Sequence, residues 1–546
     1  MNKVLENPFY YLDNFHQVLH WIGERYSDLL TGEEAAFLAA FPTLPQPARA
    51  LFVRMVMRKG ELFRASKLSY PEIGCPASAA APLVAQGWLA QDPELTLEQL
   101  FDLLQKPEIT RVFALSGAER SARKAEQLAA LRTRHDGAHR FSAWYPDAGD
   151  QLYHILAKPL CDRLRLIFFG NFHQDWSEFV LSDLGIYRYE KVEFSPAARG
   201  FRSRRDIDDY LALHACRERF NDGADPLLLA QELPPLDGDN EWLHSRRQKL
   251  LFQFGQQLEK LGNWAGAFEL YQGCAYPGAR ARAIRVLEKD ERLGLAHEWL
   301  QRALQAPESA AEHQQLLRMA PRLRRKLGHV REAARQPTPV ERIDLQLPLP
   351  GEEWWVEGVV REHLWQDDAP CFYVENALAN SLFGLLCWDA VFAAIPGAFF
   401  HPFHHGPADL HSADFQRRRA AQFAACFARL DDGSYADIIR ANFAAKWGLQ
   451  SPFVYWDAID QDLLDLALAC IPAAHLRHWF ERILQDIKAN RSGFPDLIQF
   501  WPAERRYRMV EVKGPGDRLQ DNQLRWIDYC AEHGMPVAVC YLQWQP

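Results

Sequence analysis

The sequence predicts a multidomain α+β protein with a largely helical N-terminal half and a C-terminal α/β domain. Three observations indicate this fold class. Apolar residues recur at helical spacing, and part of the helical pattern repeats, before residue 335, whereas period-two alternation stands out near the C-terminus. Proline-rich stretches between residues 336 and 350 separate the two patterns. We therefore divide the chain into residues 1–135, 136–335 and 336–546.

The sequence of residues 1–135 predicts helices. Aromatic stripes near the N-terminus are typical of core packing. Thr96 and Gln99 form a capping box that opens an amphipathic helix, and a second short helix begins after Pro107. A basic segment, residues 120–134, follows. A helix pair followed by a basic stretch is similar to a SAP-type DNA-binding module, although a solvated helical face explains the composition equally well.

The second region contains an internal repeat. Leu258-Glu259-Lys260 recurs 29 residues later as Leu287-Glu288-Lys289, with alanines and large apolar residues at helical spacing. This pattern is typical of helix-turn-helix units stacked as a TPR-like solenoid, which most often binds peptides.

Basic residues in and before the repeat are candidates for phosphate binding. One pair lies in a Gly/Ser-containing loop before the repeat, and another follows a Pro-Gly turn at a helix start, where backbone N–H groups also bind phosphate. Ordinary surface arginines are the alternative. The candidates are Arg204, Arg205, Arg246, Lys249, Arg280 and Arg282.

The stretch 493–526 contains the pattern that matters most for function. Asp496 opens a short apolar segment, and Tyr507–Lys513 alternates with period two, so we predict two strands joined by a charged hairpin. Residues two apart on a strand point to the same side, so Glu511 and Lys513 share one face and the intervening valines pack the other. We expect Asp496, Glu511 and Lys513 to converge at one edge of the sheet.

Two carboxylates beside a lysine suit metal-dependent phosphate hydrolysis. Asp496 and Glu511 offer the hard oxygen ligands that Mg²⁺ or Mn²⁺ prefers. A metal held there activates a water and offsets the charge on the phosphate. Lys513 is placed to orient that water or stabilise the pentavalent phosphate. Charged residues at strand ends are usually only solvated, so the bare pattern is a weak signal.

Two further residues are candidates because of their helices. Glu375 opens a helix that is apolar nearly all round, hence buried, and could reach the metal as a third carboxylate; stabilisation by the helix dipole is the simpler explanation. Gln523 shares a stripe with Trp526 and Cys530 on the last helix, so we expect it to face inward. Its amide would find partners in the active site or in the ordinary core.

A histidine-rich loop raises the possibility of a zinc site. Its residues are His404, His405, Asp409 and His411, but their spacing fits no common zinc-ligand pattern.

The composition limits the classes of function. A net charge of −9 argues against a chain that binds polyanions over its whole surface, so nucleic-acid contacts must come from local basic patches. The ten cysteines include no Cys-x-x-Cys pair, which indicates neither a structural zinc site nor a disulfide framework. The sequence shows no signal-peptide pattern and no long apolar run. We expect a cytoplasmic, nucleoid-associated protein without membrane contact.

The C-terminal motifs resemble a known nuclease module. Gly493-x-Pro495-Asp496-Leu497, then Glu511-Val512-Lys513-Gly514-Pro515, Asp517-Arg518-Leu519, Gln523 and Trp526 resemble the virus-type replication-repair nuclease (VRR-NUC) module. That module is a branch of the PD-(D/E)xK superfamily, whose core is restriction-endonuclease-like.

The resemblance extends upstream to a whole family. Glu375 with Leu382, Leu385-Leu386 and Trp388-Asp389, then Pro407–Leu410, Phe168-Phe169-Gly170 and Phe179–Gly185 are similar to the Fanconi-associated nuclease family. The SAP-like and TPR-like segments fit it too. The resemblance covers nearly the whole chain, in the style of a bacterial member; the motifs after Glu375 are specific, and those before about residue 150 are weak.

The resemblance implies a function and a set of site residues. Family members are structure-specific 5′-flap endonucleases with 5′ to 3′ exonuclease activity in DNA interstrand cross-link repair. By that resemblance Glu375, Asp496 and Glu511 hold Mg²⁺ or Mn²⁺, Lys513 assists, and Gln523 supports the site. A basic pocket near the TPR boundary would hold the 5′-phosphate, with Arg280 and Arg282 as the best matches. Animal members also carry a ubiquitin-binding zinc finger, for which this chain has no cysteine before Cys75.

Two alternatives remain at this point. Small relatives of the nuclease module resolve Holliday junctions, and two symmetric nicks would require a dimer, whereas we expect a monomer or weak dimer acting on a 5′ flap or cross-linked duplex. The chain could instead be a TPR-type repair scaffold with an inactive nuclease fold. The complete set of Asp496, Glu511, Lys513 and Gln523 argues against the scaffold.

Overall fold

The computed structural model describes residues 7–176, 178–179, 186–236, 238–329, 339–351 and 354–545. By its internal contacts the chain divides into two compact units, Met1–Tyr187 and Arg188–Pro546. The boundaries expected at 135/136 and 335/336 stay predictions. Two predicted features, the motif residues 180–185 and the first proline of the proline-rich stretch (Pro337), lie outside the described residues.

The first unit is mainly helical. Its longer helices are α1 (Tyr10–Tyr26), α2 (Gly32–Ala40), α3 (Gln46–Val56), α4 (Pro76–Ala85) and α10 (Lys158–Phe169). The shorter ones are α5 (Leu97–Leu103), α6 (Lys106–Val112), α7 (Gly117–Ser121), α8 (Lys124–Leu131) and α9 (Phe141–Trp144). The aromatic stripe of α1 is core, as expected, since Tyr11 and Phe15 are buried.

Five short strands accompany these helices. They are β1 (Leu62–Arg64), β2 (Leu89–Gln91), β3 (Glu94–Leu95), β4 (His139–Arg140) and β5 (Leu152–Ile155). β5 is the centre of an antiparallel sheet in the order β1-β5-β2, and β3 pairs with β4. The predicted capping box opens α5: Thr96 Oγ1 accepts from the backbone N–H of Gln99, whose Oε1 accepts from the N–H of Thr96.

The second unit begins with helices that each pack on the next. They are α11 (Arg204–Asn221), α12 (Pro226–Glu232), α13 (Glu241–Lys260), α14 (Trp264–Gln272), α15 (Ala279–Lys289), α16 (Leu293–Gln305) and α17 (Ala310–Lys326). The sequence repeat has a structural counterpart, because its equivalent glutamates Glu259 and Glu288 are both buried and accept from Arg282 and Arg322 respectively. Assignment of these helices to the TPR class stays a prediction.

A five-stranded mixed sheet forms the C-terminal part. Its strands are β6 (Glu341–Leu347), β7 (Cys371–Tyr373), β8 (Leu497–Trp501), β9 (Arg506–Lys513) and β10 (Val537–Trp544), in the order β6-β10-β9-β8-β7. β10 is parallel to β6 and β9, whereas β8 is antiparallel to β9 and β7. The predicted hairpin joins β8 to β9, and Arg505 takes the left-handed conformation there, with φ of 49°.

Helices cover both faces of this sheet. α18 (Val356–Leu364) packs on one face with Val510 and Val512, the valines expected to point away from Glu511. The other face is covered by α27 (Asp521–Glu532) and by helices inserted between β7 and β8. These are α19 (Ala377–Leu386), α20 (Trp388–Val391), α21 (Phe415–Arg418), α22 (Ala420–Asp432), α23 (Tyr435–Ala445), α24 (Gln461–Cys470), α25 (Ala473–Gln485) and α26 (Ile487–Asn490).

The apolar helix predicted after Glu375 is buried but interrupted. It consists of α19 and α20, which meet at Cys387, and Glu375 precedes α19 instead of opening it. Similarly, α27 begins at Asp521, several residues later than the predicted start after Gly516. Across the described ranges, we find no helix with the length and apolar content needed to cross a bilayer.

Candidate active site

The hairpin β8–β9 brings two of the predicted carboxylates together. Leu497 lies opposite Val510 in the antiparallel pair, so Asp496 and Glu511 are the next pair at the same end. The backbone N–H of Val512 donates to Asp496 Oδ2 over 2.8 Å, which fixes that carboxylate against β9. The two acids and Lys513 are all buried or nearly so.

Glu511 is the most strongly perturbed carboxyl of the site. It is fully buried, and neither carboxylate oxygen has a hydrogen bond from any described residue. Nζ of Lys513 lies 2.7 Å from Oε1, an ion-pair contact without hydrogen-bond geometry. Burial, followed by the negative charge of Asp496, raises the pKa of Glu511 from 4.5 to about 8, and Lys513 only partly opposes this.

Asp496 is perturbed in the same direction. Burial raises its pKa from 3.8 to about 6, against the stabilising effects of the Val512 N–H and Lys513. The charges of Glu357 and Glu375 add to the increase. Four carboxylates therefore lie close enough to interact, with Lys513 as the cation among them.

Glu375 is held beside Asp496 by the backbone. Its N–H and that of Val374 both donate to the carbonyl oxygen of Asp496, at 3.0 and 2.9 Å. Its φ of 34° lies in the left-handed region, which is costly for a non-glycine residue and is often found at functional sites. Its carboxylate accepts from the Tyr373 hydroxyl (2.8 Å) and the Asn376 amide (2.9 Å).

Glu357 is a site residue that the sequence reasoning missed. It lies in the first turn of α18, and its charge raises the pKa of both Asp496 and Tyr373. A signal did exist: Glu357 is an acidic residue in the first turn of an amphipathic helix in the segment before Glu375. The distance along the chain from Glu357 to Asp496 concealed it.

The donor set fits a hard divalent cation. Glu511 has two buried oxygens without hydrogen bonds from the described residues. The raised pKa values of Glu511 and Asp496 show that Lys513 only partly offsets the cost of holding both carboxylates in a buried site. Within the described ranges, however, no three His, Cys, Asp or Glu side chains already form a ligand set. Glu375 would have to turn from Tyr373 and Asn376 to complete one.

Gln523 supports the neighbouring helix end. It is half-buried in the first turn of α27, where its Oε1 accepts from the backbone N–H of Gln520 over 2.8 Å in a capping box. We expected the Gln523 amide to face inward; its oxygen instead caps the N-terminus of α27. Close by, Gly493 has φ of 94°, and a Cβ there would lie 2.7 Å from the backbone of Asn522.

Arg246 and Lys249 line a basic cavity of about 80 Å³ together with His214, Arg217 and Gln253. The guanidinium of Arg246 stacks on Tyr210 and Trp242, with Cζ 4.5 and 4.8 Å from the ring centres. Burial lowers the pKa of Arg246, and its Nε–H donates to no acceptor among the described residues.

Lys249 also belongs to a second group of cations. Burial lowers the pKa of His411, and so do Arg491, Lys488 and Lys249 around it, whereas Asp486 opposes them. Nζ of Lys488 in turn lies 3.5 Å from the hydroxyl of Tyr276. The nuclease part and the helical repeats thus contribute jointly to this basic cluster, which consists of Lys249, Lys488 and Arg491.

Arg280 and Arg282 are already paired within the helical repeats. Arg280 donates to both oxygens of Glu312, at 2.9 and 2.6 Å, and to the carbonyl of Ala306. Arg282 donates to Glu259 over 2.9 Å. A phosphate would have to compete with these carboxylates.

Arg204 and Arg205 lie on a helix, which corrects the expectation of a loop. Ser203 caps α11, and the two arginines form its first turn, facing Asp208 (3.1 Å) and Asp209 (3.7 Å) one turn on. Ser203 with Asp206 three residues later is a helix-start signal that the basic cluster obscured.

The histidine loop has a structural explanation. Asp409 is buried and accepts from Arg418 and from both terminal nitrogens of Arg419, at 2.7 to 2.9 Å. A bidentate buried pair of this kind fixes the loop, and the described residues offer no zinc-ligand group.

Comparison with known families matches three parts of the chain. Residues 9–90 match the FAN1 HTH domain, residues 94–144 the Fanconi anemia-associated nuclease SAP domain, and residues 430–544 the VRR-NUC domain. VRR-NUC nucleases of the PD-(D/E)xK type use divalent metal ions.

Curated relatives from bacteria and plants match over nearly the whole chain. The Fanconi-associated nuclease 1 homolog of Pseudomonas aeruginosa is 57% identical over 543 residues, covering 100% of this chain and 97% of the relative. The homolog of Arabidopsis thaliana is 24% identical, covering 96% of this chain and 66% of the relative.

Two solved structures share the fold. The crystal structure of paFAN1 bound to 2nt 5′ flap DNA with gap superposes with a TM-score of 0.92 at 57% identity, covering 100% of both chains. The one bound to 1nt 5′ flap DNA with gap has a TM-score of 0.90, also at 57% identity, and covers 99% of this chain and 100% of that one. This chain belongs to the Fanconi-associated nuclease family of structure-specific DNA nucleases.

Proposed function

We propose that this protein is a 5′-flap endonuclease with 5′ to 3′ exonuclease activity, dependent on Mg²⁺ or Mn²⁺, that acts in DNA interstrand cross-link repair. The observation that carries the proposal is the buried Glu511 carboxylate, which lies beside Asp496, is in contact with Lys513 and has no hydrogen bond from the described residues. The 5′-flap DNA in the related crystal structures supports branched DNA as the substrate.

The residues of the site divide the chemical work. Asp496 and Glu511 are the anchoring ligands, with Glu375 and Glu357 near enough to complete the set after a side-chain rotation. The bound divalent ion supplies Lewis-acid stabilisation and a more acidic water. Lys513 keeps its ammonium at the carboxylate pair, where its remaining N–H groups are free to orient the attacking water or a phosphate oxygen.

A phosphate pocket around Lys249 is proposed to select the 5′ end. Lys249 links the cavity of Arg246 to the cluster with Lys488 and Arg491. Three cations surround His411 with one opposing carboxylate, Asp486, so they outnumber the negative charge there. They suit a doubly charged terminal phosphate better than Arg280, which already donates to Glu312 and to the carbonyl of Ala306. Arg204 and Arg205 are proposed to contact the sugar-phosphate backbone of the DNA.

Cleavage of a substrate panel tests this proposal. The panel contains a 5′ flap, a 3′ flap, a nicked duplex and a four-way junction, each with Mg²⁺, Mn²⁺ or chelator. We expect the 5′ flap to be cut fastest and only with metal. Symmetric nicking of the four-way junction in preference to the flap would favour the resolvase alternative, and no cleavage of any substrate would favour the scaffold.

The pocket has its own test. Lys249→Gln should reduce the rate on a 5′-phosphorylated flap about tenfold, approaching the rate on the unphosphorylated flap, since one charge-assisted contact is worth about 1.5 kcal/mol or more. Arg302→Gln, an exposed cation on α16, is the control. Equal cleavage of both flaps by the wild type would refute the pocket.

A further inference from the structure

A basic groove of about 740 Å³ runs along the helical repeats between α15 and α17. Each helix directs one stripe of cations into it, at spacings of three, four and seven or eight residues, the repeat of a single helical face. These cations are Arg282, Arg285 and Lys289 on α15 and Arg318, Arg322 and Lys326 on α17.

The basic groove keeps an excess of positive charge. Glu288 in the groove pairs with Arg322 (2.6 Å) and Lys326 (3.0 Å). Glu259 pairs with Arg282 (2.9 Å) and more distantly with Arg285 (3.8 Å), and Asp521 pairs with Arg318. Six cations therefore face three carboxylates. Paired carboxylates hold the guanidinium groups in place and leave further N–H donors for an outside anion.

The lining favours a phosphodiester backbone over bases. Phe252 is the one aromatic residue among those that line the groove, so successive bases would find no stacking platform of the kind that single-strand binding sites use. The stripe from Arg282 to Lys289 spans about 10 Å of helix at 1.5 Å per residue. Measured along the duplex axis, where the phosphates of one strand follow one another about every 3.4 Å, that length covers about three phosphates.

The basic groove leads to the nuclease part of the same unit. Arg318 forms an ion pair with Asp521 in the first turn of α27, and the Gln314 amide donates to the Asp521 carbonyl over 3.2 Å. Arg525, further along α27, donates to Gln314 Oε1 over 2.8 Å. α27 follows β9, which carries Glu511 and Lys513, so the groove adjoins the helix that comes next in the chain after the candidate active-site strand.

We propose that the basic groove holds one strand of a duplex arm of the DNA substrate through its phosphates. The proposal rests on the proposed nuclease function and adds to it a surface distinct from the Lys249 pocket. Contacts made to phosphates alone position the DNA without reading its sequence.

Salt-dependent binding of the full-length protein tests the groove. Affinity for a fluorescent 5′ flap, a blunt duplex and a single strand of equal length is measured in chelator, so that nothing is cut, between 0.05 and 0.3 M salt. The groove variant is Arg285→Gln/Lys289→Gln, since both residues are exposed and folding should not depend on them. Each lost phosphate contact should reduce the slope of log affinity against log salt by about 0.9, hence by about 1.8 for the pair.

A matched control and a cleavage readout separate the outcomes. Lys260→Gln/Arg302→Gln removes two exposed cations outside the groove, one on α13 and one on α16, and should bind like the wild type. We expect the groove variant to lose about eightfold or more in duplex and flap affinity at 0.1 M salt, with single-strand affinity within twofold. An unchanged slope overturns the groove, and an equal loss on single strands overturns its assignment to duplex. Metal-dependent flap cleavage by the wild type, measured separately, reports on the nuclease proposal alone.

Discussion

Substitution of Glu511 by Gln should remove most of the acid-side stabilisation of the metal-free protein. The carboxyl has a pKa of about 8 in the folded chain against 4.5 as its ordinary value. The folded state therefore binds this proton more tightly, so ionisation destabilises the fold. Stability gained through Glu511 is complete below pH 4.5 and is lost as the pH rises through 8.

The magnitude follows from the two pKa values. Full ionisation destabilises the folded chain by about 5 kcal/mol, because each pH unit between the two values contributes about 1.36 kcal/mol. Between pH 8 and pH 6 the wild type should gain about 2 kcal/mol of unfolding free energy. Glu511→Gln should lose that gain and keep only a fraction of 1 kcal/mol from Asp496, whose pKa is about 6.

Denaturant unfolding in chelator at pH 6, 7 and 8, followed by tryptophan fluorescence, measures the effect. The relevant transition is the one that added Mn²⁺ stabilises, because a ligand that binds only the folded site raises its unfolding free energy. Glu362→Gln on α18, whose side chain is 77% exposed, serves as the control and should keep the wild-type pH dependence. The same pH dependence in Glu511→Gln as in the wild type would refute the assigned electrostatics.

Three further predictions concern the site and its support. Asp496→Asn should lower flap cleavage by about 10³-fold or more while DNA affinity in chelator changes less than threefold; a fall in both together would indicate a folding defect. Glu357→Gln should weaken Mn²⁺ binding about tenfold by calorimetry, and equal binding by this variant and Glu362→Gln would exclude Glu357 from the site. Gly493→Ala should destabilise the protein by about 1–3 kcal/mol, because its φ is positive and the backbone of α27 blocks a Cβ. Gly534 also has a positive φ but open space around it, so Gly534→Ala should destabilise the protein less. Equal destabilisation by the two substitutions would exclude the clash.

Local pattern was enough to predict the strands that carry the chemistry. The alternation over β9 fixes which side chains share a face, and the structure has Val510 and Val512 packed under α18 with Glu511 and Lys513 away from them. The capping box at Thr96 was predictable for the same reason, since its partners lie within one helical turn.

Long-range partners were out of reach of local pattern. Glu357 joins Asp496 only because α19 to α26 fold as an insertion between two paired strands. The carboxylates that occupy Arg280 and Arg282 lie 32 and 23 residues away along the chain, in neighbouring helices of the repeat. The left-handed conformation of Glu375 likewise follows from its two backbone bonds to Asp496, a tertiary contact.

The active-site assignment is tested most directly by single-turnover cleavage of a 5′-flap substrate with the Lys513→Ala variant. Cleavage is measured at saturating Mn²⁺, and DNA binding is measured on the same sample. Wild-type protein should cut and the variant should bind the flap with similar affinity but cleave it at least 100-fold more slowly. Cleavage by Lys513→Ala at the wild-type rate would show that the reaction takes place elsewhere in the molecule.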